Sequence, residues 1–144
     1  MKTILKILIL LIALVAHATT SSAQKIKLKD GKVLIDDREL FRYEKDSRWI
    51  SLFSLETDEE LIMIKQDHGG TPGPEYRDDD YTIYTFLKED VKAEISSYNL
   101  WQNNIKFLLE QRVFDENGVM NPERIKSFKV KFDEDITSRR IRID

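Results

Sequence analysis

IKLKDGKVLI, residues 26–35, contains two short runs rich in apolar residues that are joined by Asp30-Gly31. An Asp-Gly pair between two such runs is the strongest local signal for a β-hairpin, because both residues tolerate the positive φ angles of a two-residue hairpin turn. Similar runs, broken by turn residues about every ten positions, continue to Ile95. This rhythm predicts an antiparallel meander of about six strands, either a curved sheet or a small barrel.

The spacing of apolar residues changes after this region from that of a strand to that of a helix. One stripe of an amphipathic helix is formed by Trp101, Ile105, Leu108 and Leu109. Asn99, with Gln102 three positions later, resembles a capping box at the start of this helix. The expected role of the stripe is to pack on the sheet together with Phe128 and Phe132.

A second helix is predicted from Asn121-Pro122, an N-cap residue followed by proline at the first helical position. Residues 127–132 (SFKVKF) also alternate with the period of a strand, but the start signal favours a helix. The predicted fold class is therefore α+β, with the meander and two C-terminal helices in one domain at residues 24–136. Residues 137–144 are predicted to form a flexible charged tail.

The N-terminal segment has the pattern of a secretory signal peptide. Lys2 and Lys6 precede an unbroken apolar run at residues 7–16, and small residues lead to Ala23. The run is about half as long as the ~20 apolar residues of a membrane-spanning helix. We therefore expect residues 1–23 to be cleaved, which leaves a periplasmic or secreted protein without a stable membrane anchor.

Composition excludes several classes of function. The chain has 23 basic and 26 acidic side chains, so its formal net charge is −3 and it has no general attraction for nucleic acid. It also lacks cysteine, which excludes disulfides, thiolate metal sites, cysteine nucleophiles and a lipid anchor on an N-terminal cysteine.

Residues 66–80 differ from the rest of the chain, because they are rich in glycine and proline and end in three aspartates. Long loops of this kind are often functional, and we predict that this one binds a partner. The residues expected to contact that partner are Asp67, His68, Tyr76, Asp78, Asp79 and Asp80.

Two chemical roles are conceivable for this loop besides that of a solvated surface. His68 could act as a general base only beside a nucleophile and a carboxylate that orients it, and Asp67 is merely its neighbour in sequence. Calcium requires about 6–8 oxygen ligands, and Asp67, Glu75 and residues 78–80 lack the spacing of a ligand set. No catalytic, cofactor-binding or metal-binding residue is therefore predicted.

Two further groups of residues have both a structural and a functional interpretation. A basic C-terminal region could dock an acidic partner or form a solvated face; it comprises Lys126, Lys129, Lys131, Arg139, Arg140 and Arg142. Four aromatic residues could form a ligand platform or belong to the core; these are Trp49, Tyr81, Tyr84 and Phe86.

The chain resembles small uncharacterised exported proteins of Gram-negative bacteria. The resemblance lies in the signal that ends in Ala23-Gln24, the lysine-rich first hairpin at residues 25–35, the meander and the two terminal helices. It implies export and brings no functional site with it.

The leading functional hypothesis is a non-catalytic binding module of the cell envelope or exterior, with an unknown protein or glycan as partner. Its expected working surfaces are the loop at residues 66–80 and an exposed edge strand. The alternatives are a small carboxylate-dependent hydrolase and a carrier of a small apolar ligand.

Overall fold

A computed structural model of the chain describes residues 24–68 and 79–141. Within these ranges the chain forms seven strands, one more than the approximate number predicted. They are β1 (Ile26–Lys29), β2 (Lys32–Ile35), β3 (Arg38–Lys45), β4 (Trp49–Ser54), β5 (Glu60–Asp67), β6 (Tyr81–Phe86) and β7 (Val91–Ile95). The predicted signal peptide at residues 1–23 lies outside the described residues.

The seven strands form one sheet in which each strand pairs antiparallel with the next in sequence. The order β1 to β7 leaves β1 and β7 as the two edges, so the sheet is not closed into a barrel. The predicted first hairpin is confirmed, with φ angles of 51° at Asp30 and 75° at Gly31. Because connections in a meander alternate between two ends, the β5–β6 connection lies at one end, here called the loop end. The β4–β5 and β6–β7 turns lie at the far end.

In the described part of the chain, three helices follow the sheet: α1 (Trp101–Glu110), α2 (Pro122–Phe132) and α3 (Ile136–Ile141). The helical interpretation of residues 127–132 is confirmed, and the Asn121 side chain accepts a hydrogen bond from the Arg124 amide at 3.1 Å as an N-cap. The predicted capping box at Asn99 is wrong: Leu100 occupies the N-cap position of α1, and no side chain caps it. No helix among the described residues is long and apolar enough to cross a membrane.

The core lies between one face of the sheet and the helices. Ile105 and Leu108 of the predicted stripe are fully buried, while Trp101 and Leu109 pack at its margin. An aromatic cluster fills the space between the layers; it comprises Tyr84, Phe86, Phe107, Phe128 and Phe132, with neighbouring ring centroids 5.0–6.3 Å apart. The hydroxyl of Tyr84 donates to the Asn104 side chain at 2.9 Å, which satisfies this buried polar group. Burial also raises the pKa of Tyr84.

The C-terminal segment differs from the predicted flexible tail. Residues 136–141 form α3, and Ile136 is buried. The amide and hydroxyl of Thr137 both donate to the carboxylate of Glu94, at 2.7 and 2.8 Å. The charged sequence of this segment resembles a solvated tail because its anchoring contacts are polar rather than apolar.

Candidate functional site

The loop predicted to bind a partner leaves the sheet between two paired strands. Asp67, the last residue of β5, is the cross-strand partner of Tyr81, the first residue of β6. The described residues of the connection, together with Tyr98, form what we call the loop base: Asp67, His68, Asp79, Asp80 and Tyr98. Strand pairing therefore fixes the distance between the two ends of the connection.

An aspartate–histidine pair is the central feature of the loop base. His68 Nδ1 lies 3.2 Å from Asp80 Oδ1, and the ring of His68 packs at 5.7 Å, centroid to centroid, from that of Tyr98. The Asp80 side chain is only 6% exposed, whereas that of His68 is 39% exposed. The carboxylate that orients His68 is thus Asp80, across the connection, and not its neighbour Asp67. Asp67 instead lies 3.5 Å from the ammonium group of Lys65.

The terminal helix supports the other side of the loop base. Arg140 donates a hydrogen bond from Nη2 to the backbone carbonyl of Asp79 at 2.5 Å, and its guanidinium lies 4.9 Å from the ring centroid of Tyr81. The Tyr81 hydroxyl is in turn 3.2 Å from the Thr137 hydroxyl. Arg140, predicted only as part of a basic surface, therefore fixes the start of β6.

Four of the six predicted contact residues meet at the loop base, namely Asp67, His68, Asp79 and Asp80. Tyr76 and Asp78 lie outside the described residues, as does Glu75. No sequence signal marks Tyr98, which follows two serines in a polar stretch. Within residues 24–68 and 79–141, no group of three or more histidine or acidic side chains could hold a metal ion.

The electrostatics of the described carboxyl groups give no support to the hydrolase alternative. A general acid requires a carboxyl group with a raised pKa. Every shifted carboxyl pKa in this part of the chain lies below its ordinary value; the groups are Asp37, Asp46, Glu94 and Asp115. Hydrogen bonds from Lys27, Ser47 and backbone amides of residues 117 and 119 account for three of these shifts.

The pKa of Glu94 is set by opposing effects. Burial favours the neutral carboxyl group and is the largest single influence, but hydrogen bonds from Lys92 and Thr137 together outweigh it and lower the pKa. Glu94 therefore remains charged and serves as an anchor for α3.

The proposed aromatic platform is not formed. Tyr84 and Phe86 belong to the core, and Tyr81 is buried beneath α3. Trp49 is half-buried on the opposite face of the sheet. These positions correct the platform interpretation: three of the four rings are already covered by the protein itself.

The chain matches no protein-family model, no curated protein and no solved structure.

Proposed function

We propose that this chain is a non-catalytic binding module of the periplasm or cell exterior, which binds a protein or glycan partner through the loop at residues 66–80. The observation that carries this proposal is the loop base. Paired strands hold its two ends, the pair of His68 and Asp80 joins them, and Arg140 braces the start of β6. Binding loops placed on a rigid scaffold lose less conformational entropy when a partner binds.

The surface beside the loop base is suited to recognition. Tyr98 is exposed and packs against His68, and the neighbouring Leu100 is among the most exposed large apolar side chains of the described residues. Tyrosine is enriched in protein interfaces because it supplies a large contact area at a low entropic cost. His68 and Tyr98 would form the fixed part of the interface, and the remainder of the loop would complete it.

The carrier alternative has less support. The space between the sheet and the helices is filled by the aromatic cluster, so a ligand would have to bind elsewhere on the described surface.

Deletion of Gly69–Pro74 tests the proposal. Residues 24–144 and the deletion variant are immobilised and used to capture partners from periplasmic and culture-supernatant fractions, with quantification by mass spectrometry. We expect the deletion variant to remain folded and to lose the specific partner by at least about tenfold, because roughly 1.4 kcal/mol of contact energy would be removed.

Two further variants sharpen this test. His68→Ala and Tyr98→Ala should weaken capture of the same partner, whereas Val130→Ser on the exposed surface of α2 is the matched control. Full capture by the deletion variant would contradict the proposal.

A further inference from the structure

A second concave surface lies at the far end of the sheet, away from the loop base. Three elements form it: the start of β3, the turns that follow β4 and β6, and the connection between α1 and α2. We call it the end groove, and its volume is about 650 Å³. This volume lies within the range of about 300–1,000 Å³ that is typical of small-molecule sites.

The connection between the helices forms a fixed wall of the end groove. The carboxylate of Asp115 accepts hydrogen bonds from the amides of Asn117 and Val119, at 2.8 and 3.0 Å. Gly118 has a φ angle of 79°, and a Cβ atom there would lie 3.1 Å from the carbonyl oxygen of Leu40. The connection approaches β3 so closely here that only glycine fits the position without strain.

The end groove has an apolar floor and an apolar rim. Leu40, Phe41 and Leu61 are buried at its base. On the rim, Leu55 is 47% exposed and Val119 is 62% exposed. Apolar side chains of this size that remain in contact with water within a concave site favour an apolar ligand.

The charged residues of the end groove are mostly acidic. Five glutamates line it, namely Glu39, Glu56, Glu59, Glu89 and Glu116, against the basic residues Arg38 and Lys88. The side chain of Arg38 already donates to the carbonyl of Glu116. Glu39 is already paired with Lys32 at 2.7 Å, so four glutamates remain against the two basic residues of the groove. This remaining excess of carboxylates is complementary to a cation.

Glu89 adds a more specific requirement. One of its carboxylate oxygens, Oε2, is buried and has no hydrogen-bond partner among the described residues. The rest of the Glu89 side chain is partly exposed and lines the groove, so an ammonium group there can pair with the accessible side of this carboxylate. A primary ammonium group has three donors, whereas a quaternary ammonium group has none.

We propose that the end groove binds a small amphiphilic primary amine. Its ammonium group would donate to Glu89, and its apolar chain would cover Leu55, Leu61 and Val119. The limited volume of the groove favours a small molecule over a peptide segment. This site is independent of the partner-binding loop, because the two lie at opposite ends of the sheet.

The probe for this proposal is n-octylamine, titrated into residues 24–144 at neutral pH and followed by calorimetry and amide NMR shifts. We expect a Kd of about 0.1 mM, with shifts centred on residues 116–120. Octanol and octyltrimethylammonium should each bind at least about tenfold more weakly, because neither provides a charged donor. Equal binding of octyltrimethylammonium and octylamine would overturn the assignment of Glu89 as hydrogen-bond acceptor.

Variants separate this site from the rest of the molecule. Glu89→Gln should weaken octylamine binding about tenfold, while Glu110→Gln, which changes an exposed α1 glutamate outside the groove, should have no effect. Val119→Ser, which changes a side chain that is 62% exposed, should weaken binding about threefold.

Three results would overturn the proposal: no binding of octylamine, equal binding to the Glu89→Gln variant, or tighter binding of a short Leu-Lys-Leu peptide. Deletion of Gly69–Pro74 should leave octylamine binding unchanged, so failure at one end of the sheet is distinguishable from failure at the other.

Discussion

The two edges of the sheet are protected in different ways. At the β7 edge, the amide of Glu94 donates to the Asp133 carboxylate at 2.9 Å, and its carbonyl accepts from the amide of Glu134 at 2.8 Å. The Glu134 carboxylate accepts from the amide of Ser96 at 2.8 Å, and Lys129 donates to the carbonyl of Lys92 at 3.0 Å. Helix α2 and the segment after it thus satisfy backbone groups along the β7 edge without adding a strand.

The β1 edge has no such polar partner within the described residues. The amide of Asp36 donates to the carbonyl of Lys25 at 3.0 Å, and alternation along the hairpin then directs the backbone groups of Ile26 and Leu28 outward. No hydrogen bond from another described element reaches them. Helix α1 packs beside this strand, and lysines alternate with its apolar residues. Lysine on an edge strand discourages pairing with a second chain.

Edge protection in this sheet is specific at β7 and generic at β1. The β7 edge depends on individual carboxylates at fixed distances, so single substitutions should disrupt it. The β1 edge depends on charge and on an adjacent helix, so the protein should tolerate single substitutions there and remain soluble.

Removal of the protecting segment at β7 should lower the stability of the protein most. A chain that ends at Phe132 loses the hydrogen bonds to Glu94 and Ser96 and the buried side chain of Ile136. We expect a loss of about 3 kcal/mol in the free energy of unfolding, measured by urea titration. The exposed β7 edge should also cause concentration-dependent association, detected by light scattering. A stable, monomeric truncated protein would refute the protective role of this segment.

A smaller effect is expected from Glu94→Gln, which alters the anchor of α3. Loss of the charged hydrogen bonds to Thr137 and Lys92 should lower the free energy of unfolding by about 2 kcal/mol at neutral pH.

The pH dependence of this variant gives a second measurement. Because the folded pKa of Glu94 is lowered, its stabilising contribution is present above its ordinary pKa of 4.5 and is lost as the pH falls through the folded value. The variant should therefore lose less stability than the wild type in that acidic range. Parallel pH profiles would exclude this role, and Glu110→Gln is the control for an exposed glutamate.

The smallest expected effect on stability is at β1. The double substitution Lys27→Ser and Lys29→Ser removes an exposed ion pair between Lys27 and Asp37. It should change the free energy of unfolding by no more than about 0.5 kcal/mol. Self-association in sedimentation experiments should nevertheless increase, since two edge lysines are gone. Unchanged association would indicate that α1 alone protects this edge.

The elements that could be predicted from the sequence are those marked by turn or cap residues at their own ends. Asp30-Gly31 marks the first hairpin and Asn121-Pro122 marks the start of α2, and each signal acts through neighbouring backbone groups. Helix α3 was missed because its contacts with Glu94 and residue 79 are distant in sequence.

The candidate sites were less predictable than the fold. The partner of His68 is Asp80, at the other end of the β5–β6 connection. Residue spacing alone does not predict that these two side chains meet. The end groove likewise combines turns that become neighbours only when the meander is complete. Long-range geometry of this kind has no signature in local sequence.

The strict neighbour-to-neighbour order of the sheet also has a consequence for how the chain acquires its structure. Every strand pairing joins consecutive elements, so each hairpin closes a short loop at a low entropic cost. The contacts of greatest sequence separation join the sheet to the helices, to the connection between α1 and α2, and to the segment that protects β7. We therefore expect the sheet to assemble progressively from β1. The backbone of the β7 edge should stay without its partners until the segment after α2 reaches it. During that interval β7 is an unprotected edge strand that can pair with a second chain, and the rate at which α3 docks determines how long this state lasts.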